Sequence, residues 1–214
     1  MSVAIADPSE PRPSLRGTAI LITVATLIAV AFFALAAAPY LLSSSYKATL
    51  YAGRRLPLLV HIVFGTVALF SGPVQLWLGI ADRRVELHRR LGLVYMGAVA
   101  ISATAAYVLA LNPFAGWIFG SGLMGLATAW LTTTGLAFMA IRRHLVEQHK
   151  EWMIRSYVVT FAFVFFRIGS VTLPAIYPGS GLAQAQALAW ACWALPLLVA
   201  ELILQGRKIL AVSA

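Results

Sequence analysis

A run of fifty-one residues between Arg90 and Arg142 contains no acidic or basic side chain. A helix needs about 20 apolar residues to cross a bilayer. Within the hydrocarbon, backbone N–H and C=O groups find hydrogen-bond partners only in a helix or a closed barrel. The whole chain is 61% hydrophobic and only 11% charged, which is outside the range of soluble domains. The sequence therefore predicts an all-α, polytopic membrane helix bundle.

Six stretches have the length and apolar composition of membrane spans. They cover residues 17–38, 56–80, 91–111, 116–141, 153–175 and 185–205. We expect a single transmembrane domain over 17–206, a disordered cytoplasmic leader over 1–16 and a cytoplasmic tail over 207–214. The first span is longer than the h-region of a signal peptide, about 7 to 15 residues, which favours a retained helix over a cleaved one. Pro73 is expected to kink or end the second span.

The positions of arginine and lysine predict the orientation. With a cytoplasmic N-terminus, the cytoplasmic side holds twelve of these residues and the outer side three. The outer three are Lys47, Arg54 and Arg55. We therefore expect both termini in the cytoplasm and a location in the cytoplasmic membrane of a bacterium.

The net charge of +9 does not indicate a nucleic-acid partner, because the basic residues lie in pairs at the ends of apolar runs. Such pairs are typical of topology determinants and of contacts with anionic lipid headgroups. The lone Cys192 excludes an intramolecular disulfide, and its apolar surroundings favour a packing role.

Two histidines stand at the start of spans that run in the same direction, His88 before the third and His149 before the fifth. Membrane b-type haem is usually held by two axial ligands, commonly histidines, from facing helices. Guanidinium groups for the propionates would come from Arg84, Arg89 and Arg155. Two alternatives stay open for these imidazoles: hydrogen bonding to loop carbonyls and lipid phosphates, and a metal or proton-relay site.

Several enzyme classes lack their motifs. His144 and His149 are five residues apart, which fits neither order of the zinc-protease helix, and would point to different helix faces. Nucleophile elbows, phosphate-binding loops, dinucleotide fingerprints and CxxC pairs are absent from the sequence. We predict no metal site and no named enzymatic reaction; an activity, if present, would be that of a membrane oxidoreductase.

Ionisable residues inside the spans are the strongest indication of a functional path. Arg167 lies about fourteen residues into the fifth span, where an unpaired charge costs a few kcal/mol. Its candidate contacts are His61, Ser71, Tyr107 and Thr172. Glu201, near the cytoplasmic end of the sixth span, is expected to meet Arg207 or water. If the fifth helix is continuous from His149, then His149 and Arg167 share one face, five turns apart.

Several segments together resemble a family of bacterial predicted membrane proteins catalogued as a domain of unknown function. These segments are His61–Gly65, Gly72–Gln75, His88–Tyr95 and His149–Tyr157, together with Arg167 and Glu201. The resemblance covers about residues 54–205 and implies no established substrate, cofactor or catalytic residue. Helix count and histidine placement also make the chain loosely similar to b-type cytochromes and ferric reductases, although paired histidines at two depths are missing.

Three hypotheses from different classes follow. In the first, His88 and His149 bind a b-type haem that exchanges electrons with a quinone or a redox partner protein. In the second, Arg167, His61 and Glu201 line a path for a small solute or a proton. In the third, the protein binds lipid or a partner complex through its arginine-rich face and catalyses no reaction.

Overall fold

The computed structural model describes residues 15–43, 53–81 and 84–212, and every regular element in those segments is helical. The elements are α1 (Leu15–Phe32), a π-helical turn (Phe33–Ala37), α2 (Ala38–Leu42), α3 (Arg55–Ala81), α4 (Val85–Ala110), α5 (Gly116–Arg142), α6 (Val146–Thr160), α7 (Ala162–Ile176) and α8 (Gly181–Val212). The described residues do not include most of the predicted leader, nor Lys47, nor the end of the predicted tail.

The apolar spans predicted from the sequence are confirmed as helices. Within the described segments, five apolar stretches are long enough to cross a membrane: Ala19–Leu42, Arg55–Gly79, Val85–Ala110, Gly116–Arg142 and Gly181–Leu210. A sixth span is made by α6 and α7 together, which are bent by 42° at their junction. The chain therefore folds as an all-helical protein with five to six candidate membrane helices.

A proline and a break affect the continuity of two spans. Of the two effects expected of Pro73, a kink or an end, the end does not occur, since α3 continues to Ala81. The fifth span is broken at Phe161, so His149 and Arg167 lie on two helices and do not share one continuous face. A third irregularity, the π-helical turn in the first span, comes just before Pro39, which has no N–H for the carbonyl four residues earlier.

Helices α3, α4, α5 and α6 form a four-helix ring, because α3 packs on α4, α4 on α5, α5 on α6, and α6 on α3. Helix α8 lies outside the ring against α5, α6 and α7, and α1 lies against α3 and α7. The ring encloses the main core, where Tyr95 and Val99 of α4 and Val159 of α6 are fully buried. Cys192 is buried at the edge of this core, as its apolar surroundings predicted.

The two ends of the bundle differ in chemistry. The basic end holds the α3–α4 and α5–α6 connections and the end of α8, and the opposite end holds the α4–α5 and α7–α8 connections. His88 and His149 lie at the basic end, whereas His61 of α3 lies toward the opposite end. Functional groups are thus divided between two levels of the bundle.

Close packing of α5 against α8 generates a stability prediction. A Cβ atom at Gly122 would stand 2.9 Å from backbone atoms of Ala189, whereas one at Gly135 of the same helix would meet nothing within 4 Å. Gly122→Ala should lower the free energy of unfolding by about 1 to 3 kcal/mol, because the helices must move apart. Gly135→Ala, the matched control, should leave that free energy unchanged or raise it. Thermal unfolding in detergent, followed by circular dichroism, measures both; equal midpoints would contradict the packing.

Candidate functional site

A chain of buried hydroxyl groups joins three helices of the ring at mid-height. The Tyr95 hydroxyl lies 2.7 Å from Ser156 Oγ and 2.9 Å from Thr160 Oγ1. Trp130 Nε1 donates to Thr160 Oγ1 at 2.9 Å, and Thr134 Oγ1 lies 2.7 Å from Ser156 Oγ. Because a buried polar group without a partner costs about 1 to 3 kcal/mol, this network fixes α4, α5 and α6 relative to one another.

This network was not predicted from the sequence. Ser156 and Thr160 are four residues apart, which places both hydroxyls on one face of α6. That spacing was a usable signal, but it does not identify Tyr95 as the partner on another helix.

The two histidines predicted to face each other lie at the same, basic end of the bundle, near the starts of α4 and α6. The ring of His149 donates from Nδ1 to the Ala137 carbonyl at 2.9 Å, which leaves Nε2 free of that bond. Helices α4 and α6 stand across the ring from each other, so the pair spans the core.

His88 is less completely bonded than His149. Its Nδ1 is buried and has no hydrogen-bond partner within the described segments. Its backbone carbonyl accepts a hydrogen bond from Gln75 Nε2 at 2.9 Å, which ties α4 to α3. Gly79 of α3 faces the His88 imidazole, and a Cβ atom at Gly79 would stand 3.4 Å from His88 Cε1. A residue without a side chain thus leaves room beside this imidazole.

The three arginines predicted beside the histidines differ in their availability. Arg84 and Arg89 are exposed at the basic end. Arg155 is buried: its Nη2 lies 2.6 Å from Glu201 Oε2, its Nη1 lies 3.5 Å from Glu151, and its guanidinium stacks on the Trp152 ring. Arg155 is therefore already neutralised by two carboxylates.

This arrangement assigns Glu201 a different partner from the expected one. Glu201 was expected to meet Arg207 or water, whereas its carboxylate bonds Arg155 of α6 and Gln205. Glu151, one helical turn before Arg155, lies 3.5 Å from it and also binds Lys208 at 2.8 Å. These ion pairs attach α6 to the end of α8.

Toward the opposite end, His61 and Arg167 border a cavity of about 280 Å³. His61 Nδ1 lies 3.0 Å from Ser102 Oγ and 3.1 Å from the Ser102 carbonyl, so the imidazole is held against α4. The Arg167 side chain is exposed, and its guanidinium forms no hydrogen bond or ion pair with the described part of the chain.

The candidate contacts of Arg167 have other partners. Ser71 and Thr172 bond carbonyls of their own helices, and Tyr107 bonds Thr128. Only His61 of the four shares the cavity with Arg167. Glu201 does not line this cavity.

The described residues contain no group of three His, Cys, Asp or Glu side chains arranged to hold a metal ion. A site built from His88 and His149 would therefore rest on two protein ligands and would suit an ion whose remaining ligands belong to a cofactor.

The Arg155–Glu201 pair generates a second prediction. Glu201→Gln removes the carboxylate nearest to a buried guanidinium, so it should lower the free energy of unfolding by about 1 to 3 kcal/mol. Glu86→Gln is the matched control: its partner Arg90 is exposed, so its loss should change that free energy by less than about 1 kcal/mol. Thermal unfolding of the three proteins in one detergent provides the comparison. A Glu201→Gln variant as stable as the control would contradict a stabilising role for this pair.

Comparison with known proteins places the chain in a family. Residues 58–204 match the model of the family described as Predicted membrane protein (DUF2306). No curated protein and no solved structure matches the chain, so the similarity to ferric reductases has no support beyond helix count and histidine position. The match covers more than two thirds of the 214 residues and contains every candidate site residue described above. The chain belongs to the DUF2306 family of predicted membrane proteins.

Proposed function

We propose that His88 and His149 bind the iron of a b-type haem at the basic end, and that the protein carries electrons in the membrane. The observation that carries this proposal is the placement of two histidines at the same end of helices on opposite sides of a four-helix ring. Paired axial histidines from facing helices are the usual ligation of a membrane b-type haem.

The hydrogen bonding of each ring supports ligation. Ligating histidines generally give their other ring nitrogen to a carbonyl or a carboxylate, which fixes the tautomer and the ring orientation. His149 has that arrangement with the Ala137 carbonyl. The His88 ring has a buried nitrogen without a hydrogen-bond partner among the described residues. Burying such an atom costs free energy unless a ligand or a water molecule bonds to it.

The basic residues around the pair limit how the propionates would be held. Arg155, one of the three arginines expected to contribute, is bonded to Glu201 and Glu151. Arg84 and Arg89 are exposed at the same end and are the two guanidinium groups that we assign to the propionates. We revise the proposed haem site to His88, His149, Arg84 and Arg89.

The position of the pair defines the partners. By the positive-inside rule the basic end faces the cytoplasm, so a haem there would exchange electrons with a cytoplasmic protein or with a quinone in the membrane. His61 is hydrogen bonded to Ser102, and no second histidine lies at its level. We therefore propose one haem rather than two stacked across the bilayer.

The alternative of solute or proton transport along His61, Arg167 and Glu201 has less support. Glu201 bonds Arg155 at the basic end, whereas the other two residues border the cavity. The three groups do not line one path.

Absorption spectra of the purified full chain test the haem proposal. Protein expressed with ample haem and extracted in mild detergent should show a Soret band and sharp bands on reduction, with the magnetic resonance signature of a low-spin, two-imidazole iron. His88→Ala and His149→Ala should each remove the low-spin signature, because each removes one axial ligand.

His144→Ala is the control, since His144 lies at the same end in the α5–α6 connection, outside the pair. It should leave the spectrum unchanged. Wild-type protein without haem, or a low-spin spectrum that survives both ligand substitutions, would overturn the proposal.

A further inference from the structure

The cavity toward the opposite end is a separate feature from the histidine pair. It has a volume of about 280 Å³ and is bordered by α1, the π-helical turn and α3 to α7. Most of its lining is apolar, with aromatic rings from three elements, including Phe33, Phe119 and Phe166. Such concave, mainly apolar spaces with a few convergent polar groups are the usual form of a ligand site.

The polar groups of the cavity are ordered by depth. Arg54 precedes the first turn of α3 and stands at the mouth, where its Nη1 donates to the Asn112 carbonyl. Arg167 lies nine residues before the end of α7, about 14 Å below that end. Trp130 and Thr160 form the floor, and Trp130 is fourteen residues into α5, about 21 Å from its start. The space therefore reaches from the end of the bundle to its middle.

The charged side chains that line this cavity in the described segments are two arginines. Arg54 and Arg167 line it together with His61, and no aspartate or glutamate of those segments does so. The Arg167 guanidinium has no hydrogen-bond or ion-pair partner within the described segments, although its position in the span makes an uncompensated charge cost a few kcal/mol. An anion bound in the cavity would offset that cost and accept hydrogen bonds from the guanidinium.

We propose that this cavity binds a single-chain amphiphile with an anionic headgroup, a carboxylate or a phosphate, whose head pairs with Arg167. The chain would lie between the apolar faces of α1, α3 and α5. The volume is near the lower limit of ligand pockets, about 300 to 1,000 Å³, which suits one acyl or isoprenoid chain and excludes a two-chain phospholipid.

Equilibrium binding to the full chain in lipid nanodiscs tests this site, with binding to empty nanodiscs subtracted. Radiolabelled dodecanoate, dodecyl phosphate and dodecanol share one chain length and differ in the head. We expect at least one of the two anions to bind about tenfold or more tightly than dodecanol, because a charge-assisted bond to Arg167 is available only to an anion. Tighter binding of dodecanoate identifies a fatty-acid type of ligand, and tighter binding of dodecyl phosphate identifies a phosphorylated lipid.

Variants of Arg167 separate the headgroup contact from general partitioning. Arg167→Gln should weaken binding of the preferred anion by about tenfold or more and leave dodecanol unchanged. Arg167→Lys should retain most of the preference for an anion. Arg143→Gln, which removes an exposed charge at the basic end, is the matched control and should leave all three affinities unchanged.

A second variant tests the cavity itself. Ala106 lines the space and is only partly buried, so Ala106→Leu should fill part of it and weaken all three probes without unfolding the protein. Size-exclusion profiles and thermal midpoints provide the folding control. Equal binding of the three heads, or unchanged affinity in both Arg167→Gln and Ala106→Leu, would overturn the proposal. Neither result depends on haem, so the two proposals succeed or fail separately.

Discussion

Hydrocarbon offers no hydrogen-bond partner, so each polar side chain within the bundle must find its partner on the protein. The hydroxyls of Tyr95, Ser156 and Thr160 bond one another across α4 and α6. Arg155 and Glu201 do the same across α6 and α8. These contacts fix α4, α6 and α8 relative to one another, because the apolar surfaces alone would pack almost as well against lipid. The arrangement of the ring and of α8 outside it depends on this pairing.

Two groups depart from that pattern, and each lies at a proposed site. The buried Nδ1 of His88 has no partner within the described segments, and His149 lies at the same end of the bundle. The Arg167 guanidinium likewise has no partner there and borders a cavity to which those segments contribute no carboxylate. We interpret both as places where a bound molecule completes the bonding: iron at one end of the bundle and an anionic headgroup toward the other.

The sequence was sufficient to predict the spans and the placement of His88 and His149 at one end of the bundle, since helix direction and depth follow from hydropathy and charge. It was insufficient to predict the break at Phe161, because neither proline nor glycine marks that position. The sequence also did not predict the partner of Glu201. Arg155 and Glu201 are forty-six residues apart, and only the packing of α8 on α6 brings them together. The cavity depends on the same long-range packing, with the bend between α6 and α7 contributing Thr160, Phe163 and Arg167 to its wall.

The most direct test asks whether position 167 faces a cavity that solutes can enter or the surrounding lipid. In a Cys192→Ala background, Arg167→Cys and Ile168→Cys place single thiols at the same depth of α7, and Ile168 is exposed but does not line the cavity. A small, charged thiol reagent added to reconstituted protein should modify the thiol at position 167 and leave the thiol at 168 unmodified. Equal reactivity at the two positions, or reaction at 168 alone, would contradict the account.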